Sequence, residues 1–159
     1  MDAPITKINL DEKAANAKAE NFCAYQERSQ QEVRDKLYEW GLHRDMVEGT
    51  ISRLITENFL NEERFAIAYT QGKFNQKGWG KIKIKQGLKF KKVSDVLIKK
   101  ALQTIPGDDY LIMLQKILAK KAALVTEKTP YKRNYKLRQY ALTRGYEADL
   151  VADILRELS

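Results

Sequence analysis

The sequence has almost nothing from which to build a covalent staple or a metal centre. Cys23 is its one cysteine and His43 its one histidine. An internal disulfide is therefore excluded, as is a cysteine-based metal site, and a lone thiol fits a reducing, cytoplasmic setting. With only 3 prolines and 8 glycines, an all-β fold with many tight turns is disfavoured. No apolar run reaches the length of a membrane span. The opening MDAPITKINL lacks the basic flank and apolar stretch of a secretory signal, and residues 1–11 are expected to form a flexible tail.

Catalytic equipment is equally sparse. Asp108-Asp109 and Glu62-Glu63 read as acidic residues at helix N-termini, where negative charge is favourable. Cys23 lies on an apolar helix face and reads as a buried thiol. Gly78-Trp79-Gly80-Lys81 lacks the earlier glycine and the Gly-Lys-Ser/Thr ending of a phosphate loop, and no apolar strand precedes it. Neither an enzyme nor a cofactor is expected.

What the chain does have is a one-sided charge. The net charge is +8. Residues 1–72 hold 9 Lys and Arg against 13 Asp and Glu, whereas residues 73–159 hold 20 against 8. Such a basic half implies a polyanionic partner, with nucleic acid or a nucleoprotein the commonest.

It also has a repeat. Val33, Leu37, Met46, Val47, Ile51 and Leu54 recur 51 positions later as Ile84, Leu88, Leu97, Ile98, Leu102 and Ile105. A further 53 positions on they return as Leu137, Ala141, Leu150, Val151, Leu155 and Leu158. All are apolar, and Gly41 returns as Gly145. Each unit holds three amphipathic segments of helical period. In the first unit these are 12–27, a helix from the capping box Ser29/Glu32 to Trp40, and 44–58. The second gives 61–75, 80–91 and 94–104; the third gives 108–126, 131–144 and 147–158, with Pro130 suited to a first turn. The expected fold is all-α: three tandem three-helix repeats at 12–59, 60–106 and 107–159 in an elongated, curved array.

One stretch resists this scheme. In KGWGKIKIKQGLKF, residues 77–90, the residues Ile82, Ile84, Leu88 and Phe90 share period-2 parity and favour a strand. The repeat overrides the parity, because Ile84 and Leu88 coincide with Val33 and Leu37 of a capped helix. Lys81, Lys85, Lys89 and Lys92 then fall three or four apart on one stripe, with Lys73, Lys77 and Lys83 beside them. The corresponding helix of the third unit carries Lys132, Arg133, Lys136, Arg138 and Arg144. Stacked units would join these into a basic surface able to follow a phosphate backbone or an acidic protein groove, with little base specificity from lysine point charges. Trp79, Phe90 and Tyr131 are possible base-stacking residues, though aromatics at helix junctions more often belong to the core.

These blocks resemble a known family. YQERSQQEVRDKL (25–37), FLNEERFA (59–66), KGWGKIKIKQGL (77–88) and KLRQYALTRGY (136–146) are similar to the signatures of the bacterial regulatory protein family RecX. The second block is similar to the family's Tyr-Leu-Asp-Asp/Glu-x-Arg-Phe pattern. The resemblance implies a modulator that binds the helical RecA filament on single-stranded DNA and inhibits its ATPase, strand-exchange and co-protease activities. It further implies a cytoplasmic protein without cofactor or catalytic residue, expected as a monomer. It adds Arg28 and Arg64 to the candidate contacts and marks Ser29, Glu32, Gly80 and Gly145 as structural. Three positions depart from the pattern: Lys73 stands for arginine, Gly87 for glutamate, and Lys92 for a helix-ending glycine. The alternatives are a nonspecific DNA-binding helical module without a recombinase partner, and a helical interaction scaffold.

Overall fold

The structure is a computed structural model that describes residues 11–158; the expected tail, Asp11 apart, lies outside the described residues. Among the described residues nine helices run in tandem: α1 Glu12–Tyr25, α2 Gln30–Glu39, α3 Arg44–Thr56, α4 Glu62–Lys77, α5 Lys81–Phe90, α6 Asp95–Leu102, α7 Gly107–Ala122, α8 Pro130–Thr143 and α9 Ala148–Leu158. No strand occurs among the described residues. The chain is all-α, three helices to a unit.

Local chemistry explains the boundaries. Asp11, Ser29, Asn61 and Ser94 each accept a backbone N–H in the first turn of α1, α2, α4 and α6, filling donors the helix itself leaves open. Ser29 and Glu32 close the expected capping box. Four helices, α1, α3, α6 and α7, end at least two residues earlier than their apolar period suggests. The backbone of Asn58 turns left-handed just beyond α3. Beyond α7, the Arg133 guanidinium donates to the carbonyls of Ala122 and Val125, occupying acceptors that a longer helix would use. The chain after α6 turns at Thr104, whose hydroxyl donates to the Ala101 carbonyl.

The cores do not divide as the repeat does. Ala15, Ala19, Cys23, Val33, Leu37, Val47, Ile51, Leu54 and Leu60 form one cluster, built from α1–α3 and the turn after them. The second and third units share a single cluster, in which Phe74, Ile84, Leu88 and Ile98 pack with Tyr110, Leu114, Leu137, Tyr146 and Val151. An aromatic column, Phe74–Tyr110–Tyr146, with ring centroids 6.0 and 5.1 Å apart, crosses between them.

Candidate nucleic-acid interface

The glycines of the lysine-rich stretch at 77–90 form a joint. Gly78 ends α4 in the left-handed conformation, and its carbonyl accepts the Tyr146 hydroxyl at 3.0 Å. Gly80 is the N-cap of α5. Its N–H donates to the Arg144 carbonyl at 2.7 Å, and the Ile82 N–H donates to the Gly145 carbonyl at 2.9 Å. The Lys81 N–H donates to the Tyr110 hydroxyl at 2.9 Å, and that hydroxyl donates to the Glu147 carboxylate at 2.5 Å. The open amides of the α5 N-terminus are thus filled by groups of the third unit. Burial raises the phenols of Tyr110 and Tyr146 above their ordinary value, so both remain neutral donors well into the alkaline range.

The joint requires close approach. A Cβ on Gly80 would lie 2.3 Å from the Gly145 carbonyl oxygen, and one on Gly145 would lie 2.4 Å from Lys83 Cβ. The two glycines that the repeat and the resemblance pick out face each other.

On this frame α5 presents its lysines. Ile84 and Leu88 are fully buried, whereas Ile82 and Phe90 are 44% and 83% exposed. The helix therefore splits the four residues that a strand would place on one face. Lys85, Lys89 and Lys92 are exposed, as is Lys77 at the end of α4. Among the described residues no ion pair engages Lys77, Lys85 or Lys92, and Lys89 reaches Asp95 only at 3.8 Å. Lys81 is half-buried with its ammonium over the Tyr110 ring. Lys73 and Lys83 clasp the Trp79 ring at 4.8 and 4.5 Å from its centroid. Trp79 packs partly on the core with these two cations against it, while Phe90 and Tyr131, at 83% and 79% exposure, stand open to solvent. Of these three aromatics the two outer ones are the accessible ones.

The arginines are placed differently. Arg28 donates to the Phe22 carbonyl and lies over the Phe22 ring. Arg64 bonds Glu27 at 2.7 Å and reaches Asn58 and Phe59. Arg133 caps α7, and Arg144 donates to the Lys77 carbonyl at 2.6 Å. All four join segments of the chain to one another. In α8, Lys136 pairs with Glu127 at 2.8 Å, Arg138 lies over Tyr135, and Lys132 is exposed.

Sequence reading missed the groups that hold the surface in place: Tyr110, Glu147 and Tyr69. The first two are far from α5 in sequence. Tyr69 explains an anomaly, because a Cβ on Gly87 would lie 2.0 Å from its hydroxyl. Glycine at 87 makes room for a ring of α4.

The first and second units meet through charge. The Gln30 N–H donates to Glu62 at 2.7 Å, Lys91 pairs with Glu32 at 3.1 Å, and Arg64 pairs with Glu27. Burial raises the Glu62 carboxyl above its ordinary value, against the opposing pull of the Gln30 amide.

Comparison with known proteins bears on this arrangement. Residues 15–54, 61–102 and 108–155 match, in order, the first, second and third three-helix domains of RecX. The chain is 28% identical over 152 residues to Regulatory protein RecX of Bacillus mycoides (strain KBAB4), covering 94% of this chain and 56% of that protein. It is 31% identical over 134 residues to the protein of the same name from Clostridium perfringens (strain SM101 / Type A), covering 83% and 62%. The chain thus spans little more than half the length of these relatives. The crystal structure of RecX from Lactobacillus salivarius superposes with a TM-score of 0.84 at 26% identity, covering 92% of this chain and 96% of that one. Three domain matches in the same order, on helices that fold as three units, carry one conclusion: the chain belongs to the RecX family, whose members named above bear the name regulatory protein.

Proposed function

We propose that this chain regulates a RecA-type recombinase by binding its filament on single-stranded DNA, and that it lowers the filament's ATPase, strand-exchange and co-protease activities. It acts as a cytoplasmic monomer without cofactor, and its units 12–59, 60–106 and 107–159 serve as successive binding modules. The observation that supports the reading is the row of exposed lysines on and beside α5, paired only weakly at Lys89, held on the joint that the family's glycines form. Lys77, Lys85, Lys89 and Lys92 are exposed, and like charges gathered with little counter-charge favour a polyanionic partner. Lys73, Lys81 and Lys83 flank them; Lys132, Lys136 and Arg138 extend the charge along α8. Arg28, Arg64, Arg133 and Arg144 act by positioning.

The test is ATP hydrolysis by the recombinase of the same organism on single-stranded DNA, with this protein added at rising ratios. Inhibition is expected; none at any ratio on a saturated filament would sink the reading. Lys85→Glu/Lys89→Glu is expected to abolish inhibition and to keep the thermal melt of the wild type. Salt-sensitive binding to naked DNA as tight as to the filament, without inhibition, would favour the nonspecific DNA-binding module instead.

A further inference from the structure

A second basic site adjoins the α5 stripe at Lys77 and extends between the end of α4, α7 and the end of α8. There a groove of about 330 Å³ is lined by Lys77, Lys116, Lys120, Lys121 and Arg144. No carboxylate lines it, and among the described residues no ion pair engages any of the five. Five like charges in one depression repel one another and weaken the fold they sit on. A groove that keeps them without internal compensation is suited to an external anion.

Two further features narrow the ligand. Half-buried Met113 and Ile117 give the groove an apolar lining, continued by the exposed Leu124, and the amide side chains of Asn75 and Gln76 line it too. Carboxylates of an acidic peptide would satisfy the lysines but leave the apolar lining and amides unused. A nucleotide uses all three: its phosphates meet the lysines, its base lies on the apolar lining, and the base edge meets the amides. The cations are also partly pre-placed. Arg144 is pinned to the Lys77 carbonyl at 2.6 Å, and Lys121 rests against Tyr140 at 4.8 Å from the ring centroid. The volume suits one nucleotide unit, not a duplex.

We infer that this groove binds one nucleotide unit of single-stranded nucleic acid, with the flanking phosphates held by Lys116 and Lys120. The site needs no recombinase, so its test is independent of the filament reading.

The probe is a fluorescein-labelled oligothymidylate of about 20 nucleotides, followed by anisotropy across a salt series with the full chain. Lys116 and Lys120 are exposed, so Lys116→Gln/Lys120→Gln is expected to fold and melt as the wild type does. It should lower affinity at least about fivefold and reduce the slope of log affinity against log salt by about 1.4, as for two lost single-strand phosphate contacts. Lys116→Arg/Lys120→Arg should retain affinity and slope. An unchanged slope in the glutamine variant would overturn the site. So would displacement of the probe by polyglutamate as readily as by unlabelled oligothymidylate, which would assign the groove to an acidic protein. Displacement by thymidine monophosphate at comparable concentration would overturn the assignment to a strand.

Discussion

Lys92 occupies a position where the other two units have glycine, and it carries the same backbone. Its φ is 62°, against 86° for Gly41 and 97° for Gly145. A lysine there bears the clash of its Cβ with the following carbonyl. Lys92→Gly is therefore expected to raise stability by about 0.5–1 kcal/mol in urea denaturation, after the greater freedom of the unfolded glycine is deducted. Gly87 poses the reverse case. In an open helix Gly→Ala would gain about 1 kcal/mol. Here the new methyl meets Tyr69, and a net loss of about 1 kcal/mol is expected from overpacking. Adding Tyr69→Phe removes the oxygen at 2.0 Å but leaves ring carbon Cζ at 2.9 Å, and should recover only part of it. Gly145→Ala combines a left-handed backbone with collision against Lys83, and should cost about 3 kcal/mol.

At the scale of the element, α5 shows what a sequence does and does not reveal. Its helical state was legible only through the repeat, because alternating isoleucine and lysine is a strand pattern taken alone. Its face was legible too: Ile84 and Leu88 are buried where Val33 and Leu37 are. Its capping was not, since Tyr110 and Gly145 act across 29 and more residues and no local pattern encodes them. Nor was the division of labour between Lys77, Lys85 and Lys92, which no ion pair engages among the described residues, and Arg28, Arg133 and Arg144, which donate to backbone carbonyls. Guanidinium forks suit that buried work and ammonium point charges do not. The α2 N-terminus repeats the α5 logic with another chemistry: Glu62 of the next unit accepts from Gln30 where Tyr110 accepts from Lys81. Because burial raises the Glu62 carboxyl, the folded chain holds this proton more tightly than the unfolded chain. Its contribution to stability is thus fully present below the ordinary carboxylate range and declines as pH rises through the raised value. Glu62→Gln keeps an acceptor and loses the charge. Its melting temperature relative to the wild type should rise between about pH 4 and pH 7. Glu62→Ala, which leaves the Gln30 N–H without its partner, should cost about 1 kcal/mol.

At the scale of the molecule, three sequence repeats make two cores. The first unit keeps its own, and meets the second through Arg64–Glu27, Lys91–Glu32 and Gln30–Glu62. The second and third are welded by Phe74, Tyr110 and Tyr146. Partly exposed ion pairs weaken with salt, whereas apolar contacts do not. A fragment of residues 59–159 is expected to melt cooperatively by circular dichroism. A fragment of residues 1–106 should lose the cooperative melt of its second unit, because Ile84 and Leu88 would lie beside an empty face. Equal cooperativity in both fragments would refute this division.

The facing glycines at 80 and 145 have a consequence for how such a chain can change over time. Modular arrays usually lengthen by duplication, a new copy slipping between old ones because every face accepts its neighbour. Here the second unit is cut to fit one partner, down to the absence of a side chain on each side. A copy inserted between them would meet two surfaces shaped for each other and for nothing else. The pair must be inherited together, and growth by duplication is confined to positions outside it.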